Sequence, residues 1–322
     1  MYRKILVTGS SGALGRGLRM ITDEYPGREF IFIWSKDCDL RNQEETTAFV
    51  RNCQPDAIMH LAAMAGGIPL SMKHPAAMLR DNVLMTFAVM EAARLCNIKK
   101  TLMTLTTGMY PVNCPLPIKE EYIHDGPPHS SNYGSSFAKR LIEPAIKSYR
   151  EEYGMNVIGM VPNGILGEYS NYHPDAAVMP AALIKRFYEN RNNDSKIVIW
   201  GDGSPLREIT YAKDVARAFM WCLDNYNDAQ ILNVGTTEEV SVKDIAFMIA
   251  DILGIDRNRL IFDTTKPAGI FRKGTDNSKF AKLSNFQYTP LRKALEYTIQ
   301  FFLEHHAKSI DSEIIIRETI HR

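Results

Sequence analysis

Near the start of the chain a strand runs straight into a glycine turn, and the turn runs straight into a helix. Lys4-Ile5-Leu6-Val7-Thr8 is short, apolar and β-branched; Gly9-Ser10-Ser11-Gly12-Ala13-Leu14-Gly15 has the spacing Gly-x-x-Gly-x-x-Gly; a helical pattern follows through Leu18 and Ile21. Glycine at these places permits a tight turn and a close backbone approach to a ligand. The helix start then presents N–H groups to negative charge. A turn of this kind in a strand–turn–helix setting predicts a dinucleotide pyrophosphate cradled by Gly9, Ser11, Gly12, Ala13, Leu14 and Gly15, with Arg16 just inside the helix.

The following segments carry the same alternation. Glu29–Trp34, apolar after its first residue, has the look of a central parallel strand covered on both faces. Residues 57–61, 101–106 and 157–161 read as further strands, and 78–96 and 137–153 as long helices. Alternating strands and helices predict an α/β fold, a doubly wound parallel Rossmann sheet with right-handed crossovers. After Pro162 the texture changes to loops rich in Asn, Pro, Asp and Gly, which predicts a smaller α/β substrate-binding domain. The expected division is residues 1–165 with about 205–236 for the nucleotide domain, 166–204 with 237–310 for the substrate domain, and a tail over 311–322.

Composition narrows the function classes. Thirty-eight Lys and Arg against 37 Asp and Glu leave a net charge of +1, so no global basic field points to nucleic acid or an acidic membrane. The longest apolar runs are too short to span a bilayer. The five cysteines show no CxxC pair and read as reduced thiols of a cytoplasmic protein. The eight histidines show no metal-ligand spacing, so no metal is expected.

The second strand ends in Ile33-Trp34-Ser35-Lys36, without the acid that would accept bonds from an adenosine ribose 2′-hydroxyl. Lys36 and Arg16 instead suit a 2′-phosphate, which favours NADPH over NADH. Asp39 and Leu40 are placed to flank the adenine.

Longer motifs carry a more specific signal. TGSSGALG, HLAAMAGG (60–67), YPVNCPLPIKEE (110–121), IHDGPPHSSNYG (123–134), AKR (138–140), NYHP (171–174), WGDGSPLRE (200–208), DTTKPAG (263–269) and NSK (277–279) resemble the GDP-L-fucose synthase family of extended short-chain dehydrogenase/reductases. The likeness spans about residues 3–305. It implies NADPH-dependent reduction, usually with 3,5-epimerisation, of a GDP-4-keto-6-deoxy sugar. It also implies a cofactor lined by Leu61, Ala62, Ala63, Pro162, Asn163 and Lys139. On the substrate side it implies a diphosphate held by Arg207 and by Lys185 or Arg186. Trp200 would lie against the nucleotide-sugar, Lys266 and Lys279 in guanosine-side loops, and Asn163 on the sugar pocket. The family pairs its helices 78–96 and 137–153 with their copies in a homodimeric four-helix bundle.

The chemistry positions depart from that pattern. The family's triad is a Ser or Thr, a Tyr, and a Lys four residues later. Thr106 and Lys139 match, but Ser135 stands where the family has tyrosine. The family's epimerising Cys and His fall on Gly108 and on Ala177 or Val178, none of which moves a proton. Tyr133 is the visible substitute acid, provided the helix begins after it. Cys114 and His173 are the residues to suspect if epimerisation survives. The expected activity is C4 reduction of a GDP-4-keto hexose or heptose without 3,5-epimerisation. The alternative is a pseudoenzyme, natural or engineered, that binds NADP and GDP-sugar.

Overall fold

In the computed structural model the described residues are 1–174, 176–266 and 270–306, with the His306 side chain excluded. The expected tail and the PAG of DTTKPAG lie outside them. The strands are β1 (Lys4–Thr8), β2 (Glu29–Ile33), β3 (Ala57–His60), β4 (Lys100–Thr104), β5 (Val157–Pro162), β6 (Gly164–Leu166), β7 (Ile197–Trp200), β8 (Leu206–Tyr211), β9 (Leu232–Val234), β10 (Glu239–Ser241) and β11 (Leu260–Asp263). The helices are α1 (Ala13–Arg19), α2 (Gln43–Cys53), α3 (Ile68–Lys73), α4 (Pro75–Leu95), α5 (Tyr133–Arg140), α6 (Ile142–Tyr153), α7 (Met179–Glu189), α8 (Ala212–Asn225), α9 (Val242–Leu253), α10 (Ser278–Ser284) and α11 (Leu291–Phe301).

Six parallel strands form the main sheet in the order β2-β1-β3-β4-β5-β9. The chain reverses its winding beside β1, which opens a crevice at the carboxyl ends of β1 and β3. Alternate residues of the strands feed opposite cores. Ile5, Val7, Met59, Leu102 and Ile158 pack with Leu18 of α1 and Phe219 of α8. Leu6 and Ile58 pack with Val50 of α2 and Val89 of α4. Met103 and Val157 pack with Ile142 and Ile146 of α6. Both faces of the inner strands are covered, which is why they read as apolar runs; β2, expected as a central strand, is instead an edge strand and largely half-buried.

A further core joins α7, α9 and α11 to β7 and β8 through Ile184, Phe187, Ile199, Ile209, Ile249 and Leu295. Around it β10-β8-β6 and β11-β7 form small sheets. β9 is an edge strand of the main sheet.

The helical stretch 137–153 proves to be two helices meeting at Leu141. Pro144 has no N–H to give to the carbonyl of Arg140, so the first helix ends there. Gly154 closes the second with φ +64°.

Gly9 has φ +69°, and a Cβ there would lie 2.5 Å from Ala62 N. Gly27 has φ +84° with nothing within 4 Å of such a Cβ. Both changes to alanine pay the left-handed penalty, and only the first also collides with backbone. Urea unfolding should therefore show a loss of about 1 kcal/mol for Gly27→Ala and about 3 kcal/mol or more for Gly9→Ala.

Candidate active site

The crevice is framed by the turn after β1, the strand ends of β3 and β4, and the first turns of α5. Gly12 N donates to Gly9 O at 3.1 Å, and a Cβ on Gly15 would fall 2.6 Å from both Gly9 O and Ser10 Cα. A Cβ on Gly12 would meet only Gly9 O, at 3.5 Å. The turn is therefore packed tightly from below and open above Gly12, which fits a pyrophosphate lying on its backbone.

Ala62 N donates to Thr8 Oγ1 at 3.2 Å, and the same hydroxyl is hydrogen-bonded to His60 Nδ1, 2.9 Å away. Burial, with Lys139 nearby, pushes His60 down to about 3, so it is neutral. This locked histidine sets the end of β3, where Leu61, Ala62 and Ala63 follow at intermediate burial.

Lys139 lies on α5 with 7% exposure, and its Nζ donates to Thr104 O at 2.8 Å. Burial presses its ammonium down to about 8. No ion pair forms at Lys139 among the described residues, and two of its three N–H directions remain for a cofactor ribose or a substrate. Thr106 Oγ1 accepts from Gly108 N at 3.3 Å, leaving the Thr106 hydroxyl proton to be donated. Ser136 Oγ donates to Gly108 O at 2.9 Å. A Cβ on Gly108 would sit 3.6 Å from Ser136 Oγ and from Thr106 Oγ1. The position could thus hold a side chain beside the threonine hydroxyl, and it holds none.

Ser135 and Tyr133 do not fill the acid's place. Ser135 Oγ turns back to Asn132 O at 3.1 Å. Tyr133 is the first residue of α5, 56% exposed, with its ring 4.6 Å from that of Phe137. A helix beginning after Tyr133 was the condition for its acting, and the helix begins at it. Its offset from Ser135 is about 200° around the axis, so Tyr133 is corrected from substitute acid to exposed aromatic.

Other expected residues are placed variously. Arg16 Nε donates to Ser11 O at 3.2 Å and its guanidinium lies 4.6 Å from the Tyr169 ring centroid. Lys36 Nζ lies 5.0 Å from the Trp34 ring, and neither cation forms an ion pair among the described residues. Both Asp39 carboxylate oxygens hold Arg41, at 2.8 and 2.7 Å, so Asp39 is chiefly an arginine partner. Leu40 packs into the core with Leu6 and Val50. Pro162 ends β5. Asn163 is 6% exposed, donates to Glu208 Oε2 at 3.1 Å and Thr236 O at 2.8 Å, and accepts from Thr210 Oγ1. Its polar atoms are spent on fixing loops, so it serves the pocket as scaffold rather than as a free donor.

On the substrate side Arg207 Nη1 donates to Leu206 O at 2.7 Å and Ile270 O at 2.9 Å. Lys273, which the sequence reading passed over, lies close enough for Arg207 to help burial press it down to about 8. Neither pairs with a carboxylate among the described residues. Two desolvated cations within electrostatic reach of each other suit a polyanion. Glu208 anchors the loop carrying Lys273, accepting from Thr275 N at 3.0 Å and Thr275 Oγ1 at 2.7 Å. Burial pushes Glu208 up despite those bonds.

Trp200 ends β7 and is 57% exposed. Lys185 Nζ stands 3.9 Å from Glu189, whereas Arg186 Nη1 is fixed to Val198 O at 2.7 Å, leaving Lys185 the freer of the two. Lys266 follows β11 at the surface. Lys279 is corrected: its Nζ is bound to Gln230 Oε1 at 2.5 Å and Tyr226 OH at 3.2 Å. That puts it before β9, at the amino ends of the strands and away from the crevice. Gly67 N donates to Ala176 O at 3.1 Å, which draws the Ala177–Val178 segment toward the loop after β3.

The model of the NAD dependent epimerase/dehydratase family matches residues 5–235. The chain belongs to that family. It is 34% identical to a GDP-L-fucose synthase of Dictyostelium discoideum over 94% of this chain and 96% of the relative. It is 32% identical to a probable GDP-L-fucose synthase of Drosophila melanogaster over 94% and 98%. The crystal structure of a GDP-L-fucose synthetase from Naegleria fowleri bound to NADP aligns with TM-score 0.88 and 30% identity, covering 95% of each chain.

Within this epimerase/dehydratase site, Arg140 is a second residue that sequence motifs left without a role. Its Nε and Nη2 donate to Met109 O, the former at 3.0 Å, and its Nη1 to Gly126 O at 2.8 Å. The residue after Lys139 thus pins the turn carrying Thr106 and Gly108. Arg140→Met leaves two carbonyls without these donors. We expect a loss of about 3 kcal/mol in chemical unfolding, with the threonine turn loosened enough to slow turnover.

Proposed function

We propose that the protein is an NADPH-dependent reductase of the C4 carbonyl of a GDP-linked 4-keto sugar, without 3,5-epimerase activity. The observation carrying this reading is Lys139 held on Thr104 O, two residues before the Thr106 hydroxyl, beside a turn, Thr107–Met109, whose Gly108 offers no proton-handling group. The GDP-L-fucose synthase relatives and the NADP-bound neighbour support the cofactor and the GDP-sugar class.

The open backbone above Gly12, the remaining Lys139 donors, and Arg16 with Lys36 for a 2′-phosphate would hold NADPH. When bound, NADPH supplies a hydride to the carbonyl carbon. Thr106 Oγ donates to the carbonyl oxygen and polarises it. Arg207 and Lys273 bind the diphosphate, and Trp200 and Lys185 extend that surface. Epimerisation requires groups that take and return protons at C3 and C5, each worth about 10²–10⁴ in rate. Gly108 and Ala177 or Val178 supply neither.

A homodimer belongs to the same reading. Met78, Val89, Ile142 and Ile146 are absorbed by the chain's own cores, whereas Leu79, Leu84 and Leu95 on α4 and Leu141 beside it are 40–44% exposed. Leu84 and Leu95 share one side of α4, leaving apolar surface there for a second copy and a four-helix bundle. No described helix is long and apolar enough to cross a membrane, and we place the protein in the cytoplasm.

Two experiments test the proposal. With NADPH and GDP-4-keto sugars the nicotinamide absorbance should fall, and in deuterated water without cofactor no deuterium should enter C3 or C5. Deuterium at either carbon would reveal another base, with Cys114 and His173 examined first. NADPH should bind more tightly than NADH, and Lys36→Ala should narrow the gap by roughly tenfold. Light scattering should give twice the 36.5 kDa chain mass; a monomer would refute the dimer.

A further inference from the structure

Reduction leaves negative charge on O4, and some group must supply the proton. Four candidates stand near the reacting position. Ser135 Oγ already donates to Asn132 O, and an alkyl hydroxyl is a feeble acid near neutral pH. Tyr133 lies on the wrong side of α5. His60 is neutral, and its Nδ1 is held by the Thr8 hydroxyl. Thr106 can polarise O4, but losing its proton outright would leave an alkoxide of equal basicity.

We propose that Lys139 is the acid of this active site, giving the proton that a tyrosine gives in the related enzymes. The inference rests on the C4-reductase reading and identifies its proton source. The N–H bond at Lys139 Nζ breaks and an O–H bond forms at O4. The electron pair stays on nitrogen as a neutral amine, and solvent returns a proton to it before the next turnover.

The surroundings suit this role. Lys139 Nζ is fixed by one protein acceptor, Thr104 O, which orients its remaining N–H bonds. The side chain of Ser135, four residues earlier, is too short to stand between Nζ and the substrate oxygen. The charged groups around it are turned elsewhere. Arg140, next in the helix, points to Met109 O and Gly126 O. Asp81 on the neighbouring α4 is occupied by Arg80 at 2.6 Å and Arg41 at 3.6 Å. His60 on β3 faces Lys139 uncharged. Burial alone therefore brings the ammonium to about 8, close to working pH, where an acid is both protonated and ready to release its proton.

The test measures reduction of a GDP-4-keto sugar from pH 6 to 10, together with NADPH affinity from cofactor fluorescence. Wild-type turnover should be level at low pH and fall about tenfold per unit above an apparent pKa near 8. Lys139→Arg keeps the positive charge but cannot release a proton in this range. It should hold NADPH within a few-fold of wild type, lose about 10²–10⁴ in turnover, and show no such limb. Ser135→Tyr, which restores an aromatic acid, should gain less than tenfold because an acid is already present.

A wild-type profile flat to pH 10 would overturn the assignment without any variant. So would Lys139→Arg turning over within threefold of wild type, or Ser135→Tyr gaining a hundredfold. A wild type that binds NADPH but reduces no GDP-4-keto sugar would instead contradict the reductase reading itself.

Discussion

Everything at this site depends on how closely two pieces of backbone meet. The turn after β1 lies on the chain leaving β3, and only a glycine at position 9 allows it, since a Cβ there would lie 2.5 Å from Ala62 N. Thr8 ties the two strand ends further, its hydroxyl accepting from Ala62 N and hydrogen-bonded to His60 Nδ1. That contact fixes the floor of the crevice. With the floor fixed, the end of β4 delivers Thr104 and Thr106, and α5 delivers Lys139 against them.

Polar groups around the crevice are largely spent on building it. Asn163, Glu208 and Thr275 bind one another, Arg140 pins the Thr106–Met109 turn, and Arg41 occupies Asp39. What remains uncompensated is cationic: Lys139 at one end, Arg207 and Lys273 at the other. Buried charges without partners are costly, and two of these three are lysines held well below their ordinary range. A polyanionic substrate with a carbonyl at its far end answers both demands.

Much of this was legible in the sequence because the signals are local. The strand–turn–helix around Gly9 and the apolar strands depend on short-range spacing and periodicity, whereas Lys139 and Thr106, far apart in sequence, were picked out by the family resemblance. Roles that depend on distant partners were not legible. Lys273 acquires meaning only because Glu208 and Ile118 hold its loop beside Arg207, with Ile118 N donating to Gly274 O at 2.9 Å. The resemblance reads Asn163 and Lys279 as ligand contacts, and the protein partners the structure gives them, Thr236 and Gln230, are remote in sequence. Pro144 could have shown that 137–153 is two helices, because a proline inside a helical pattern removes a donor.

The most direct test of the account follows the transferred hydride into product. Wild-type protein is supplied with NADPH deuterated at its transferable position and a GDP-4-keto-6-deoxy sugar in ordinary water, and the product is read by proton NMR. The account predicts deuterium at C4 alone, with the configurations at C3 and C5 those of the substrate. A product inverted at C3 or C5, or one lacking deuterium at C4, would contradict it.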